Sequence, residues 1–197
     1  TGKKFKIVEW REDDKYDTVE LQSGTTSTAN GQTLNFFRDL SNKNEIDTNL
    51  STPRRIEAGE EMIIDRIGAY VGLMDGNTPL LGADVKKIAD NGYLVFEINK
   101  FKVAEGPLIK FGSGYGMVGM TNENNQAVIN VGVASTAAQA KLLREQFINQ
   151  DHDIHAQLKF FDRNTWQTST IVVPSLSTFG TVKAFMHGLI RAAATKG

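Results

Sequence analysis

The side chains from which catalysis or metal binding could be built are few and local. Asp151, His152, Asp153 and His155 form the only dense group of potential metal ligands in the sequence. Imidazoles and carboxylates hold zinc and similar ions when three or four of them converge on one point. Along an extended strand, successive side chains project to opposite faces. That places His152 away from Asp153 and His155, so convergence on one ion would need a bulge or a turn. The plainer reading is ordinary surface polarity. The remaining histidine, His187, lies far along the chain.

Other chemical signals are weaker. Gly114, Gly116 and Gly119 match the G-x-G-x-x-G spacing of dinucleotide-binding loops. That loop binds phosphate only when a helix begins at once, because the helix N-terminus supplies the amide donors. Here a polar, turn-like run from Thr121 follows, which favours a flexible glycine-rich loop. Serines and histidines are present, but no G-x-S-x-G nucleophile elbow accompanies them. Glu60-Glu61 and Asp13-Asp14 are adjacent pairs that face apart in strands, which reads as solvated charge rather than acid–base chemistry. Asp75-Gly76-Asn77 opens like a calcium loop but lacks the later ligands. Arg54-Arg55, after Pro53, would suit either a phosphate contact or loop salt bridges. No catalytic, metal-binding or cofactor-binding residue is assigned, and no small-molecule substrate is expected.

The elements that would position these groups have period two. Ile154, Ala156, Leu158 and Phe160 alternate with Asp153, His155, Gln157 and Lys159, the signature of a half-buried strand. Residues 93–101 repeat the pattern, with Leu94, Phe96 and Ile98 on one face and Glu97 and Asn99 on the other. Residues 61–71 are rich in β-branched side chains. Residues 5–10, 33–40, 108–111, 127–133 and 170–173 complete the predicted strands. Reversals are predicted at residues 57–60, 75–77, 90–92 and 105–107, where Gly, Asn, Asp and Pro gather. Residues 23–32 read as a small polar loop. Short helices are predicted at residues 84–89, capped by Asp84, and at residues 137–147, capped by Ser135 or Thr136 and filled with good helix formers. Residues 181–193 fit either a strand or an amphipathic helix. Many short strands with such punctuation point to a sandwich or barrel.

Composition bounds the function further. The chain has 197 residues, 40% of them hydrophobic, and a formal net charge of −1. That length suits one domain with a sizeable core, and residues 1–10 read as an arm or edge strand. The near-neutral balance calls for neither a nucleic acid nor an anionic membrane as main partner. The absence of cysteine removes disulfides, thiolate metal sites and cysteine nucleophiles. No apolar run approaches the ~20 residues of a membrane span, and the charged N-terminus lacks a signal-peptide pattern, so synthesis in a cytoplasm is expected.

The order of segments carries a resemblance. Residues 49–68, NLSTPRRIEAGEEMIIDRIG, place an extended approach and a Gly-polar loop before an apolar strand. Residues 92–107, GYLVFEINKFKVAEGP, look like a paired-strand unit. Residues 146–160 and the run Val182 to Arg191, VKAFMHGLIR, look like the last two strands. From about Thr33 to Arg191 the chain resembles the jelly-roll capsid proteins of tailless icosahedral viruses, in particular membrane-containing bacteriophages. The resemblance implies an all-β fold, a single jelly-roll β-sandwich of about eight strands in two sheets with one or two short helices in loops. The chain is too short for the double jelly roll. It also implies that residues 181–193 form a strand. The implied role is a self-assembling, non-enzymatic capsid or vertex subunit, located in the virion after synthesis in the host cytoplasm. Its partners would be other copies of itself and other virion proteins. Lys3, Lys4 and Lys6 would give the N-terminal arm a weak contact with nucleic acid or an internal membrane. The alternatives are a β-sandwich module that binds carbohydrate or a receptor, using Trp10, Tyr16, Tyr115 and Trp166, and a β-barrel enzyme with a weak Asp/His metal site.

Overall fold

The computed structural model describes residues 9–21, 33–72, 88–89, 91–112, 117–118, 130–131, 135–160 and 180–191. Among them run ten strands: β1 (Arg11–Leu21), β2 (Thr33–Phe36), β3 (Glu61–Gly72), β4 (Gly92–Ile98), β5 (Phe101–Pro107), β6 (Met117–Val118), β7 (Asn130–Val131), β8 (Ala140–Asn149), β9 (Ile154–Phe160) and β10 (Gly180–Arg191). Short 3-10 turns at Leu108–Lys110 and Thr136–Ala138 sit in the connections. Ile88 and Ala89 are helical, within the helix predicted at residues 84–89.

Two four-stranded sheets form the body, in the orders β1-β10-β3-β8 and β2-β9-β4-β5, and β6-β7 is a separate two-stranded ribbon. Every pairing is antiparallel. With the ribbon set aside, the eight remaining strands pair first with last, second with seventh, third with sixth and fourth with fifth. This is one long hairpin of strand pairs rolled up so that its alternate pairs fall into opposite sheets, which is a jelly roll. The all-β fold class is as expected, and residues 181–193 are a strand through Arg191, with Val182, Ala184, Met186 and Ile190 buried on one face.

The core lies between the sheets. Met62, Ile64, Ile67, Leu94, Phe96, Ile154, Ala156 and Leu158 are wholly inaccessible, as are Phe36 and Phe37 from the second strand and the turn after it. Phe37 and Phe96 meet edge to face, with ring centroids 6.2 Å apart, the arrangement that aromatic quadrupoles favour. Inward-facing β3 residues change parity from Met62 and Ile64 to Ile67 and Ala69. A bulge at Asp65 makes the change, because His187 pairs with Arg66 while Gly188 pairs with Ile64.

Several local expectations are corrected. The helix predicted at residues 137–147 is the strand β8 beyond a short 3-10 turn. Its helix formers differ from strand formers by only tenths of a kcal/mol per residue. Pairing with the buried strand β3 outweighs that preference. The predicted strand at 108–111 is a 3-10 turn, whose three-residue period puts Leu108 and Phe111 on the same, buried side. The predicted strand at 93–101 is interrupted by Asn99 and Lys100, with φ of 51° and 69°. Positive φ at both positions is the signature of a tight two-residue hairpin turn, and it splits the segment into β4 and β5. The reversal expected at 105–107 is part of β5. At the predicted 57–60 reversal, Gly59 has φ of 83° and Glu60 N–H donates to the Glu57 carbonyl at 3.0 Å. The strand expected at 33–40 stops at Phe36, and that at 127–133 contains β7. The predicted strand at 170–173 and the loops at 23–32 and 75–77 lie outside the described residues, as do Lys3, Lys4 and Lys6 and most of the predicted strand at 5–10.

Strand β1 was not predicted, because Arg11, Glu12, Asp13, Asp14, Lys15 and Asp17 give it no apolar alternation. Its inward face is charged yet covered. Lys15 pairs with Glu60 at 2.8 Å, and Asp17 pairs with Lys43 at 2.8 Å. Inward charges on an edge strand discourage pairing with foreign strands. The free edge of β1 is further closed by residues 47–49. The Asn49 side chain accepts from Tyr16 N–H at 2.9 Å and donates to the Asp14 carbonyl at 2.7 Å, doing for β1 what a neighbouring strand's backbone would do. Asn49→Ala leaves both groups without those partners. The expected loss is about 1–3 kcal/mol of unfolding free energy in a denaturant titration, the usual cost of stranding polar backbone groups.

Candidate functional site

The predicted ligand cluster is dispersed by the fold. Asp153 is held by Arg54 Nη2 at 2.7 Å. His152 Nδ1 lies 2.6 Å from Asn149 Oδ1, in the turn before β9. His155 stands on the outer face of β9, with Nδ1 3.5 Å from Glu97 and Nε2 3.1 Å from Asn35 Oδ1. His187 is on the other sheet, with Nδ1 2.6 Å from Asp14. Among the described residues, no three His, Cys, Asp or Glu side chains converge to hold a metal ion. The reason differs from the strand alternation read from the sequence. Of the four only His155 is on β9, Asp151 and His152 sit in the turn before it, and Asp153 is drawn off by Arg54.

The other chemical candidates resolve in the same way. Glu60 turns to Lys15 and Glu61 to Arg191, while Asp13 meets Arg11 and Asp14 meets His187. Both adjacent carboxylate pairs therefore face apart. Arg54 takes the loop salt-bridge alternative, and the Arg55 backbone N–H donates to the Thr52 carbonyl at 3.3 Å in an isolated β-bridge. Within the glycine-rich motif, Met117 and Val118 are strand β6, paired with β7. The helix that a phosphate loop needs does not begin there. Trp10, just before β1, and Tyr16 on β1 stand about 20 Å apart, six residues at strand rise. Each is covered by a cation. Arg191 lies over Trp10 at 5.2 Å and Lys183 over Tyr16 at 4.6 Å. They do not line one aromatic groove. Tyr115 and Trp166 are outside the described residues.

No protein-family model, curated protein or solved structure matches this chain.

What the fold does bring together is surface. Leu189, Ile63 and Phe147 align across β10, β3 and β8, since Ile63 pairs with both of the others. Leu189 and Phe147 are exposed and Ile63 is partly so, which leaves an apolar row on the outside of the first sheet. A second apolar surface lies where edge strands β5 and β8 flank the open side of the sandwich. Phe101, Lys102, Val103, Leu142, Leu143, Arg144 and Gln146 line a groove of about 440 Å³. Strand β8 is irregular beside the groove. Ile64 pairs with Gln146 but Arg66 pairs with Lys141, so residues 142–145 lie outside the β3 ladder, with Leu142 packed against the core and Leu143 fully exposed.

A third feature projects from the opposite side. The turn at residues 44–47 lies along β1, held by Thr18 Oγ1 donating to the Asp47 carbonyl at 2.8 Å and by the Tyr16 hydroxyl on the Glu45 carbonyl. It presents Ile46 with 76% of its surface exposed. Burial and the nearby Glu45, Asp13 and Asp47 carboxylates push the Tyr16 phenol above its usual range, and burial pulls the Lys183 ammonium down. Lys183 Nζ donates to the Ile46 carbonyl as the Tyr16 hydroxyl does to Glu45, so both side chains hold this corner. Sequence reasoning missed the turn and the groove, because isolated exposed apolar residues carry no motif. Only the placement of β5 against β8 gives them meaning.

Proposed function

We propose that the chain is a structural subunit that assembles with copies of itself, and with other virion proteins, into an icosahedral virus shell. The observation that carries this reading is the strand order, β1-β10-β3-β8 facing β2-β9-β4-β5. A jelly roll is a rigid wedge whose sheet edges and end loops are free to meet neighbours. The exposed apolar side chains Phe147, Leu189, Phe101 and Leu143 on its sides are surfaces on which neighbouring copies could pack.

The test is assembly. Size-exclusion chromatography with light scattering, followed by negative-stain microscopy, is expected to show pentamers, trimers, rings or shells that grow with protein concentration. A particle that stays monomeric from micromolar to millimolar concentration overturns the proposal.

A further inference from the structure

We propose that neighbouring copies join head to tail, with the turn at residues 44–47 of one copy seated in the β5–β8 groove of the next. This rests on the assembly reading above and names the contact that would build it. Three observations converge on it.

The first is placement. In the first sheet β1 is one edge and β8 the other, and the second sheet ends in β5. The turn rides on β1 and the groove lies between β5 and β8, so projection and recess are on opposite sides of one wedge. A contact between two different patches is heterologous. It closes into a ring when the rotation allows.

The second is the match of apolar surface. Ile46 is a lone aliphatic side chain at the tip of a polar turn, exposed at 76%. The groove offers Phe101, Val103, Leu142 and Leu143, with Phe101 at 78% and Leu143 at 104% exposed. Ile46 and the exposed Phe101 and Leu143 are apolar surfaces of a size to pack on one another.

The third is charge, which decides the occupant. Ile46 is flanked by the carboxylates of Glu45 and Asp47. The charged side chains that line the groove are Lys102 and Arg144. Lys102 is engaged by Glu105 at 2.9 Å, and Arg144 makes no ion pair among the described residues. Lys183 donates to the Ile46 carbonyl within the knob and Glu105 holds Lys102 in the groove, so the complementary charges are the Glu45 and Asp47 carboxylates on one side and the Arg144 guanidinium on the other. Complementary potentials fix which patches meet. The edges agree, since residues 47–49 already close β1 against strand addition, which leaves side-chain docking as the way that side makes a contact.

The experiment uses the full chain with Glu45→Lys, Arg144→Glu and the double variant, each checked for folding by circular dichroism. Self-association is followed by analytical ultracentrifugation at low and moderate salt. Each single reversal is expected to weaken association at least tenfold, and the double variant to recover most of it. The two positions lie on opposite sides of the molecule, so recovery reports a contact between copies. Mixing the two single variants is also expected to restore association, because each knob then meets a groove of opposite sign. Ile46→Ser is expected to weaken association at any salt concentration. If the wild type assembles and the single reversals assemble equally well, this interface is wrong and the assembly reading stands. The interface is equally wrong if neither the double variant nor the mixture recovers. If the wild type stays monomeric throughout, both proposals fall.

Discussion

Gly188→Ala is expected to destabilise the protein by roughly 3–5 kcal/mol, at the upper end of single-substitution effects. An added Cβ would lie 1.9 Å from the Ile63 carbonyl oxygen, 2.8 Å from its carbon and 2.9 Å from the Ile64 Cα. All three are backbone atoms of the central strand β3, and none can swing aside as a side chain can. The close approach exists because β3 bulges at Asp65 beside this glycine. The bulge in turn lets Met62 and Ile64 on one side, and Ile67 and Ala69 on the other, all face inward. Relieving the clash means shifting the bulge, and a one-residue shift would turn half of β3's apolar side chains outward. At a few degrees per kcal/mol for a chain of this size, the midpoint of thermal unfolding should fall by roughly 6–20 °C. Gly68→Ala is the control. There the obstacle is the Phe185 ring, 2.2 Å from the added carbon, and a ring can rotate away. Equal effects of the two substitutions in a denaturant titration would count against the bulge geometry.

The same bulge shows how far the fold was legible in the sequence. Strand β9 was plain because all four of its inward residues are apolar and its outward ones polar. The first half of β3 was equally plain, but the change of phase at Asp65 was not. Nothing in the composition of Ile64-Asp65-Arg66 distinguishes a bulge from a polar outward position. Strand β1 was hidden because Lys15 and Asp17 face inward, and only tertiary partners on residues 43 and 60 make inward charge tolerable. Strand β8 was hidden by its helix-forming composition, which pairing with β3 overrode. The Asn99-Lys100 turn lacked the glycine that normally announces positive φ. As for the site, strand alternation did not show where the histidines go, because His152 lies in the turn before β9 and His187 on the other sheet. The groove and the turn at residues 44–47 were not legible either, since they arise from which edges the jelly roll places side by side.

The second large effect concerns the carboxylate that fixes that turn. Asp17 is wholly buried on β1. Its two oxygens accept from Lys43 Nζ at 2.8 and 2.9 Å, and one also accepts from Phe37 N–H at 2.6 Å. Phe37 needs the help. It is fully buried with φ of 61°, a left-handed conformation that a bulky side chain adopts only when its surroundings hold it there. Its carbonyl is held from the other side by Arg54 N–H at 2.6 Å. Asp17→Ala removes the partner of a largely buried ammonium and strands the Phe37 N–H at once. Breaking a buried pair from one side costs about 3–5 kcal/mol, because the remaining charge is left uncompensated. Lys43→Ala should cost less, since the carboxylate keeps its amide donor and a hydrogen bond to an ion is among the stronger kinds. The double variant should cost clearly less than the sum of the singles, and a double-mutant cycle by denaturant titration measures the difference. Additive singles would show that Asp17 and Lys43 act independently. The result bears on assembly as well, because Lys43 immediately precedes the turn that carries Ile46. A subunit that folds but loses this anchor should present the turn in many positions. Association would then weaken through the entropy of ordering it again, with the Glu45 and Arg144 charges still in place.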